Sequence, residues 1–387
     1  MKVLAIETSC DETAIAIVEK TATGAYVLHK HSLLSQIDQH KEFGGVFPTV
    51  AKREHEKALV PLFLQCLENA TDISLEISNE DITSYDIFSK NQDLGQAYTE
   101  KLQNKKLVGV DAIAVTAGPG LEPALWTGLT FAKALAIASD LPLMPVNHLH
   151  GHLASVLLSP SLSDSYEPLW PAVGLITSGG HTELLALKNW SEIRTIGQTR
   201  DDAVGEAYDK TARVFDIPYP GGAELARRAA IARSELQDNK DNEYQLPTPM
   251  LDSDNLDFSF SGLKTAARYA HRDNEQLQTS PTEQNKFFAA FEESVAQVLT
   301  KKVARALDEH NPQSFIFTGG VANNNFLRER LREVTEARNI DWLAPLPKYS
   351  TDNAVMIALS ALSLNLTGAL SEKQAILQLA AQGSWPL

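Results

Sequence analysis

Two stretches of this chain read as copies of one pattern. Thr8-Ser9-Cys10-Asp11-Glu12-Thr13, followed by Ala14-Ile15-Ala16-Ile17, is echoed by Thr177-Ser178-Gly179-Gly180-His181-Thr182, followed by Glu183-Leu184-Leu185-Ala186. Each reads as a strand, a tight polar turn and a second strand. A second echo pairs Ala114-Val115-Thr116-Ala117-Gly118 with Ile316-Phe317-Thr318-Gly319-Gly320, a buried strand ending in a small-residue turn before a helix. The repeated order predicts two related α/β halves, each opening with a hairpin whose turn offers backbone N–H groups. Such halves would form a cleft able to hold phosphate between them.

Hydrophobic periodicity fills in the rest. Strands are expected at Val3 to Glu7, Thr13 to Val18, Tyr26 to Leu33, Asp111 to Thr116, Leu143 to Val146, Ala172 to Thr177, Glu183 to Leu187 and Ser314 to Thr318. Helical patterns run over Ala51 to Leu67, Pro123 to Ala138, Asp202 to Phe215, Ala223 to Ala232, Gly262 to Ala270, Thr282 to Glu309 and Asn323 to Ala337, with further helices from Asp352 and from Glu372. From Asn69 to Lys106 the chain turns acidic and poorly periodic, so 71–106 is expected to be an insertion in a surface loop. The expected division is 1–147 and 148–387, with the last helices packing back on the N-terminal half.

The formal net charge of -15 is awkward for a chain holding a polyanion unaided, because such binding rests on Lys and Arg neutralising phosphates. Either the partner is not a nucleic acid or other subunits help to grip it. Two cysteines, Cys10 and Cys66, cannot build a disulfide framework and fit a reducing compartment. Met1-Lys2-Val3-Leu4-Ala5 enters a strand directly, with no leader pattern, and no stretch reaches the roughly 20 apolar residues of a membrane span. The expected location is cytoplasmic.

Several motifs carry chemistry. In His148-Leu149-His150-Gly151-His152, a helix beginning near Asn147 would put His148 and His152 one turn apart, a spacing that suits two imidazole ligands on one metal. It also suits a polar strand-to-helix turn. A zinc peptidase would need a glutamate where Leu149 stands. The turns at Thr177 to Thr182 and Thr318 to Asn324 are phosphate candidates, though each alone is also an ordinary tight turn, and no Walker A pattern occurs. Asp11 and Glu12 suit orientation of a metal or water, or the end of a polar turn. Asp202, Glu206 and Asp209 share a helix face that reads first as a solvated one, and Asp352 reads as a helix cap or as a hard third ligand beside two histidines.

Taken together the chain resembles the tRNA N6-adenosine threonylcarbamoyltransferase family of the bacterial TsaD type. The resemblance is carried by Ile6 to Thr13, Gly44 to Pro48, Thr116 to Leu121, His148 to His152, Ser178 to Thr182, Asp201 to Lys210, Tyr219 to Gly222, Asp257 to Thr265 and Thr351 to Asn353, and fails only over Thr71 to Lys106. It implies an α/β, actin-like ATPase (ASKHA) fold with two related subdomains around a nucleotide cleft. It also implies one divalent metal, Fe2+ or Zn2+, on His148, His152 and Asp352, and contacts from Ile176, Thr177, Ser178, Gly179, Gly180, Asp209, Gly222 and Asn324 to threonylcarbamoyl-adenylate. His150 departs from the family pattern, where a glutamate is common, as do Ala322-Asn323 and Glu122-Pro123.

The reaction implied moves a threonylcarbamoyl group from its adenylate to N6 of adenosine 37 in tRNAs reading codons that begin with A, releasing AMP. Asp11 or Glu12 would manage a proton or a metal-bound water. The implied partners are tRNA, a smaller actin-like paralogue of the TsaB type and a P-loop ATPase of the TsaE type, an assembly that would supply the basic surface this chain lacks; no membrane is involved. Rival readings are a different carbamoyltransferase or a sugar or acetate kinase on the same fold, and a non-catalytic dimerisation platform. Paired histidines count against a kinase, and the presence of all three ligand residues counts against the platform.

Overall fold

A computed structural model of the chain describes residues 1–68, 70, 72–162, 167–235 and 243–387. Its residues form two compact units, 1–167 with 352–387, and 168–351. The break expected at 147/148 thus falls by contact density at 167/168, and the helix bearing the paired histidines lies in the first unit.

In the first unit, strands β1 (Lys2–Glu7), β2 (Glu12–Lys20) and β3 (Tyr26–Ser35) form a meander. Two strands, β4 (Ser74–Ile77) and β5 (Lys105–Val108), make a separate antiparallel pair. Next come β6 (Ala112–Gly118) and β7 (Leu143–Asn147), and the sheet order is β3-β2-β1-β6-β7. The β1 strand runs antiparallel to β2, with Ala5 opposite Ala16, and parallel to β6, with Ala5 opposite Ala114. Val3, Leu4, Ala5 and Ile6 are all fully buried, as a near-continuous apolar run in a sheet covered on both faces must be. The helices Pro48–Leu67 and Glu122–Ser139 share a core with this sheet, whereas the all-buried helix Ala354–Ser363 packs on β1 and β2.

The segment expected to be a loop insertion is built into that same core. Its helix, Gln92–Leu102, presents Leu94, Tyr98 and Leu102 inward, and the Tyr98 and Phe131 rings meet edge-on at 6.3 Å. Polar residues between those apolar positions, Gln96, Thr99, Glu100 and Lys101, hide an i, i+4, i+8 stripe from a composition reading. Asn69 and Thr71, at the start of the expected insertion, lie outside the described residues.

The second unit repeats the design. Strands β8 (Ala172–Thr177), β9 (Thr182–Asn189) and β10 (Glu192–Gln198) again form a meander, and β11 (Ser314–Thr318) and β12 (Asp341–Leu343) add in parallel, giving β10-β9-β8-β11-β12. The order and directions match those of the first sheet strand for strand. Periodicity misses β10, whose residues are mostly exposed or half-buried, and β12, which is three residues long. The core is aromatic, with Phe287, Phe288 and Phe291 of the helix Pro281–His310 set among Phe258, Phe260, Phe315 and Phe317. Each such burial is worth roughly 1.5–3 kcal/mol.

Candidate functional site

In the first unit, β7 runs directly into a short helix, His148–Ala154. Asn147 starts it, its Oδ1 accepting from the backbone N–H groups of Leu149 at 2.9 Å and His150 at 3.3 Å. The other end of the same amide donates to the Trp385 carbonyl at 2.9 Å, so the C-terminal segment ties down the cap. One helical turn separates His148 from His152, and their rings lie edge to face with centroids 4.7 Å apart. Asp352 arrives just ahead of the helix Ala354–Ser363, whose start is fixed by Asn353 accepting from the Met356 N–H at 3.0 Å.

These elements bring three donors together. Asp352 Oδ1 is 3.2 Å from His152 Nε2 and 3.5 Å from His148 Nε2, and one ligand atom from each residue falls within 4.8 Å of the others. The far side of His148 is also determined. Its Nδ1 lies 3.2 Å from Glu7 Oε2 and 3.1 Å from Ser9 Oγ, while Glu7 in turn accepts from the Ser9 N–H and the Thr116 hydroxyl, both at 2.5 Å. With Nδ1–H donated to a carboxylate, Nε2 is left facing Asp352, an orienting contact common behind metal-bound imidazoles. His150 points elsewhere, its Nδ1 being 2.7 Å from Ser360 Oγ.

Two buried imidazoles and one carboxylate fit a zinc- or iron-like cation with a coordination position left for substrate or water; an all-oxygen set would suit Mg2+ or Ca2+ instead. Electrostatics agree with that fit. Burial lowers the His148 pKa, but Asp352 and Glu7 outweigh it and push it up to about 10, so a cation at Nε2 must displace a proton. Burial works against ionisation of Asp352 too, yet the two histidines hold its carboxyl well below the usual range.

Asp11 ends the turn between β1 and β2 and Glu12 begins β2, Asp11 buried and Glu12 half-buried. Burial, then Asp11 and Asp352, push the Glu12 carboxyl far up, and burial with the same acids does likewise to the Cys10 thiol.

The other expected contacts lie in the second unit. A cavity of about 510 Å³ is lined by Gly179, Asp209, Gly222 and Asn324, together with Tyr208, Arg233 and Phe326. Asp209 Oδ1 accepts from the N–H groups of Gly221 at 2.9 Å and Gly222 at 2.8 Å, so the carboxylate shapes the turn that opens the helix Gly222–Glu235. Burial pushes its pKa up, and those two N–H groups pull it back. Ile176 and Thr177 are buried in β8 and do not line the cavity. Ser178 folds its own turn, Oγ accepting from the His181 N–H at 3.1 Å, and a side chain at Gly179 or Gly180 would meet nothing within 4 Å. Gly319 has a different reason to be glycine: at φ +95° a Cβ would stand 2.3 Å from the Thr177 carbonyl.

Sequence reasoning did not single out Glu7 and Ser9 behind His148, nor Tyr208, Arg233 and Phe326 around the cavity. Only Glu7 left a signal, as the lone acid closing an apolar strand.

Comparisons with known proteins give the chain its family. The family model described as TsaD, tRNA N6-adenosine threonylcarbamoyltransferase, matches residues 27–83 and 93–359, leaving 84–92 unmatched inside the expected insertion. A protein of that name from Nitrosomonas europaea is 41% identical over 385 residues, covering 100% of this chain and 97% of its own. One from Gemmatimonas aurantiaca is 40% identical over 365 residues, covering 92% and 90%. Among solved structures, full-length HypF in its phosphate- and nucleotide-bound form superposes with TM-score 0.50 at 13% identity, over 94% of this chain and 46% of that one. That likeness, with the twice-repeated sheet, shows the actin-like ATPase fold. Relatives so similar along their whole length, and a family model spanning both units, place the chain in the tRNA N6-adenosine threonylcarbamoyltransferase (TsaD) family.

Proposed function

We propose that this protein transfers the threonylcarbamoyl group from threonylcarbamoyl-adenylate to N6 of adenosine 37 in tRNAs reading codons that begin with A. The observation that carries the reading is the convergence of His148, His152 and Asp352 in a member of this family. The amine nitrogen attacks the carbamoyl carbon, the mixed-anhydride C–O bond breaks, and AMP leaves with the electron pair. An exocyclic adenine amine is a weak nucleophile, so the electrophile must be activated. Fe2+ or Zn2+ on His148, His152 and Asp352 would supply Lewis-acid polarisation of a substrate oxygen.

The chain's own residues do the rest. Glu7 and Ser9 hold His148 in the tautomer that presents Nε2. Asp11 or Glu12, where β1 turns into β2, manages the proton shed by the amine. In the second unit, the cavity lined by Gly179, Asp209, Gly222 and Asn324 takes the adenylate, with Asp209 meeting its ribose or adenine and the Gly179-Gly180 turn its phosphate. Ile176 and Thr177 serve by holding that turn in place.

The protein works in the cytoplasm with a smaller actin-like paralogue of the TsaB type and a P-loop ATPase of the TsaE type. A net charge of -15 supports that dependence, since another surface must help to neutralise tRNA phosphates. No helix among the described residues is long and apolar enough to cross a membrane. Nucleoside mass spectrometry of unmodified tRNA incubated with the protein, those subunits and threonylcarbamoyl-adenylate tests the reaction. Threonylcarbamoyladenosine is the expected product; its absence with all components present would point to another acceptor.

A further inference from the structure

Residues 380–387 follow the helix Lys373–Gln378 without regular secondary structure, and Gln382, Gly383, Ser384 and Pro386 are exposed. A segment of that kind ordinarily frays. Here it is docked on the first unit at two places, and both lead to His148.

One place is the cap of the histidine-bearing helix. Asn147 Nδ2 donates to the Trp385 carbonyl at 2.9 Å and reaches that of Pro386 at 3.5 Å, while Oδ1 accepts from the Leu149 and His150 N–H groups. Both ends of one planar amide are thus occupied, so the seat of Trp385 sets the side chain that starts the helix His148–Ala154. The other place is the turn after β6. The Gln382 N–H donates to the Ala117 carbonyl at 2.7 Å, and the Gly383 carbonyl accepts from the Gly120 N–H at 3.2 Å. The next N–H of that turn, on Leu121, donates to the Ser9 carbonyl at 2.8 Å, and Ser9 Oγ stands 3.1 Å from His148 Nδ1. The segment therefore touches two supports of one imidazole. Gly118 leaves room for it, since a Cβ there would collide with the Gln382 carbonyl.

We propose that Asn147 is a positioning residue of the metal centre, set by the docking of residues 382–386, so that docking and cation binding favour one another. The inference rests on His148, His152 and Asp352 being a metal site. Linkage fixes its form: if the docked segment tightens cation binding by some factor, the cation must tighten docking by the same factor. A segment held by a few hydrogen bonds among exposed residues opens locally far more readily than the sheet beneath it, which makes the coupling measurable in folded protein.

Hydrogen exchange of the full chain with and without saturating Zn2+ tests this, read at the Gln382 and Gly120 N–H groups, with chelator competition for Zn2+ alongside. Zn2+ should slow exchange at both about tenfold. A general stabilisation of the fold would not, because these groups exchange through local opening. Asn147→Ser keeps a capping oxygen but loses the donor to Trp385, so its Kd for Zn2+ should rise about tenfold and the effect of Zn2+ on exchange should vanish. Gly118→Ala displaces the Gln382 carbonyl without touching the cap, and should weaken Zn2+ binding by a similar factor.

Exchange that does not respond to Zn2+ in a wild-type chain that binds it would overturn the inference and leave the metal site standing. That measurement needs no variant, so it decides the question even if Asn147→Ser fails to fold. Wild-type affinity for Zn2+ in Asn147→Ser would overturn the inference as well. Zn2+ binding undiminished in His152→Ala would remove the metal reading itself, and the inference with it.

Discussion

Glu7 reaches His148 from the end of β1, its Oε2 3.2 Å from the imidazole Nδ1, so a strand in the sheet orients the first histidine of the candidate metal centre. Replacing Glu7 with Gln keeps the shape but removes the charge that favours His148 as a strong donor. Affinity for Zn2+ or Fe2+, measured by chelator competition, should fall about 10–100-fold. Unchanged affinity would mean that Ser9 alone orients the ring.

The histidines of one helix should behave oppositely. His152→Ala removes a donor from the triad and should abolish stoichiometric metal binding. His150→Ala should leave metal content unchanged and cost about 1 kcal/mol of stability through the lost Ser360 contact. Metal analysis beside denaturant unfolding separates the two.

Acid should destabilise the first unit through His55. Burial depresses its pKa to about 4, against the pull of the Cys10 carbonyl and Glu7, while the unfolded chain would titrate near the ordinary 6.5. As pH falls below 6.5 the unfolded state takes up the proton first, so stability is full above 6.5 and is lost progressively towards 4. The total is about 3 kcal/mol. Comparing urea midpoints at pH 7 and 4.5, the drop should be smaller in His55→Gln than in the wild type; equal drops would contradict this.

Tyr98 tests whether 71–106 belongs to the core. Its ring is 2% exposed and stacks edge-on against Phe131, so Tyr98→Ala should cost about 3–5 kcal/mol. A surface insertion would tolerate the change with little effect.

Much of this was legible in the sequence, for identifiable reasons. The echo of Thr8–Thr13 in Thr177–Thr182 corresponds to two sheets of identical order, because a strand–turn–strand with buried flanks leaves the same apolar alternation wherever it occurs. The i, i+4 spacing of His148 and His152 follows from helical geometry alone. Asp352 lies far along the chain from both, and spacing cannot place it; the family resemblance did. Tyr98 was hidden by the polar residues around it, Gln96, Thr99, Glu100 and Lys101, and β10 by its solvent-facing side chains. The seat of residues 382–386 was illegible because it is made with backbone carbonyls, which every residue type carries.

The most direct test of the central claim is threonylcarbamoyladenosine formation by protein stripped of metal, before and after adding back Fe2+ or Zn2+, with His148→Ala alongside. The account predicts no product from the stripped protein, recovery on metal addition, and no recovery in the variant. Undiminished transfer by metal-free protein would contradict it.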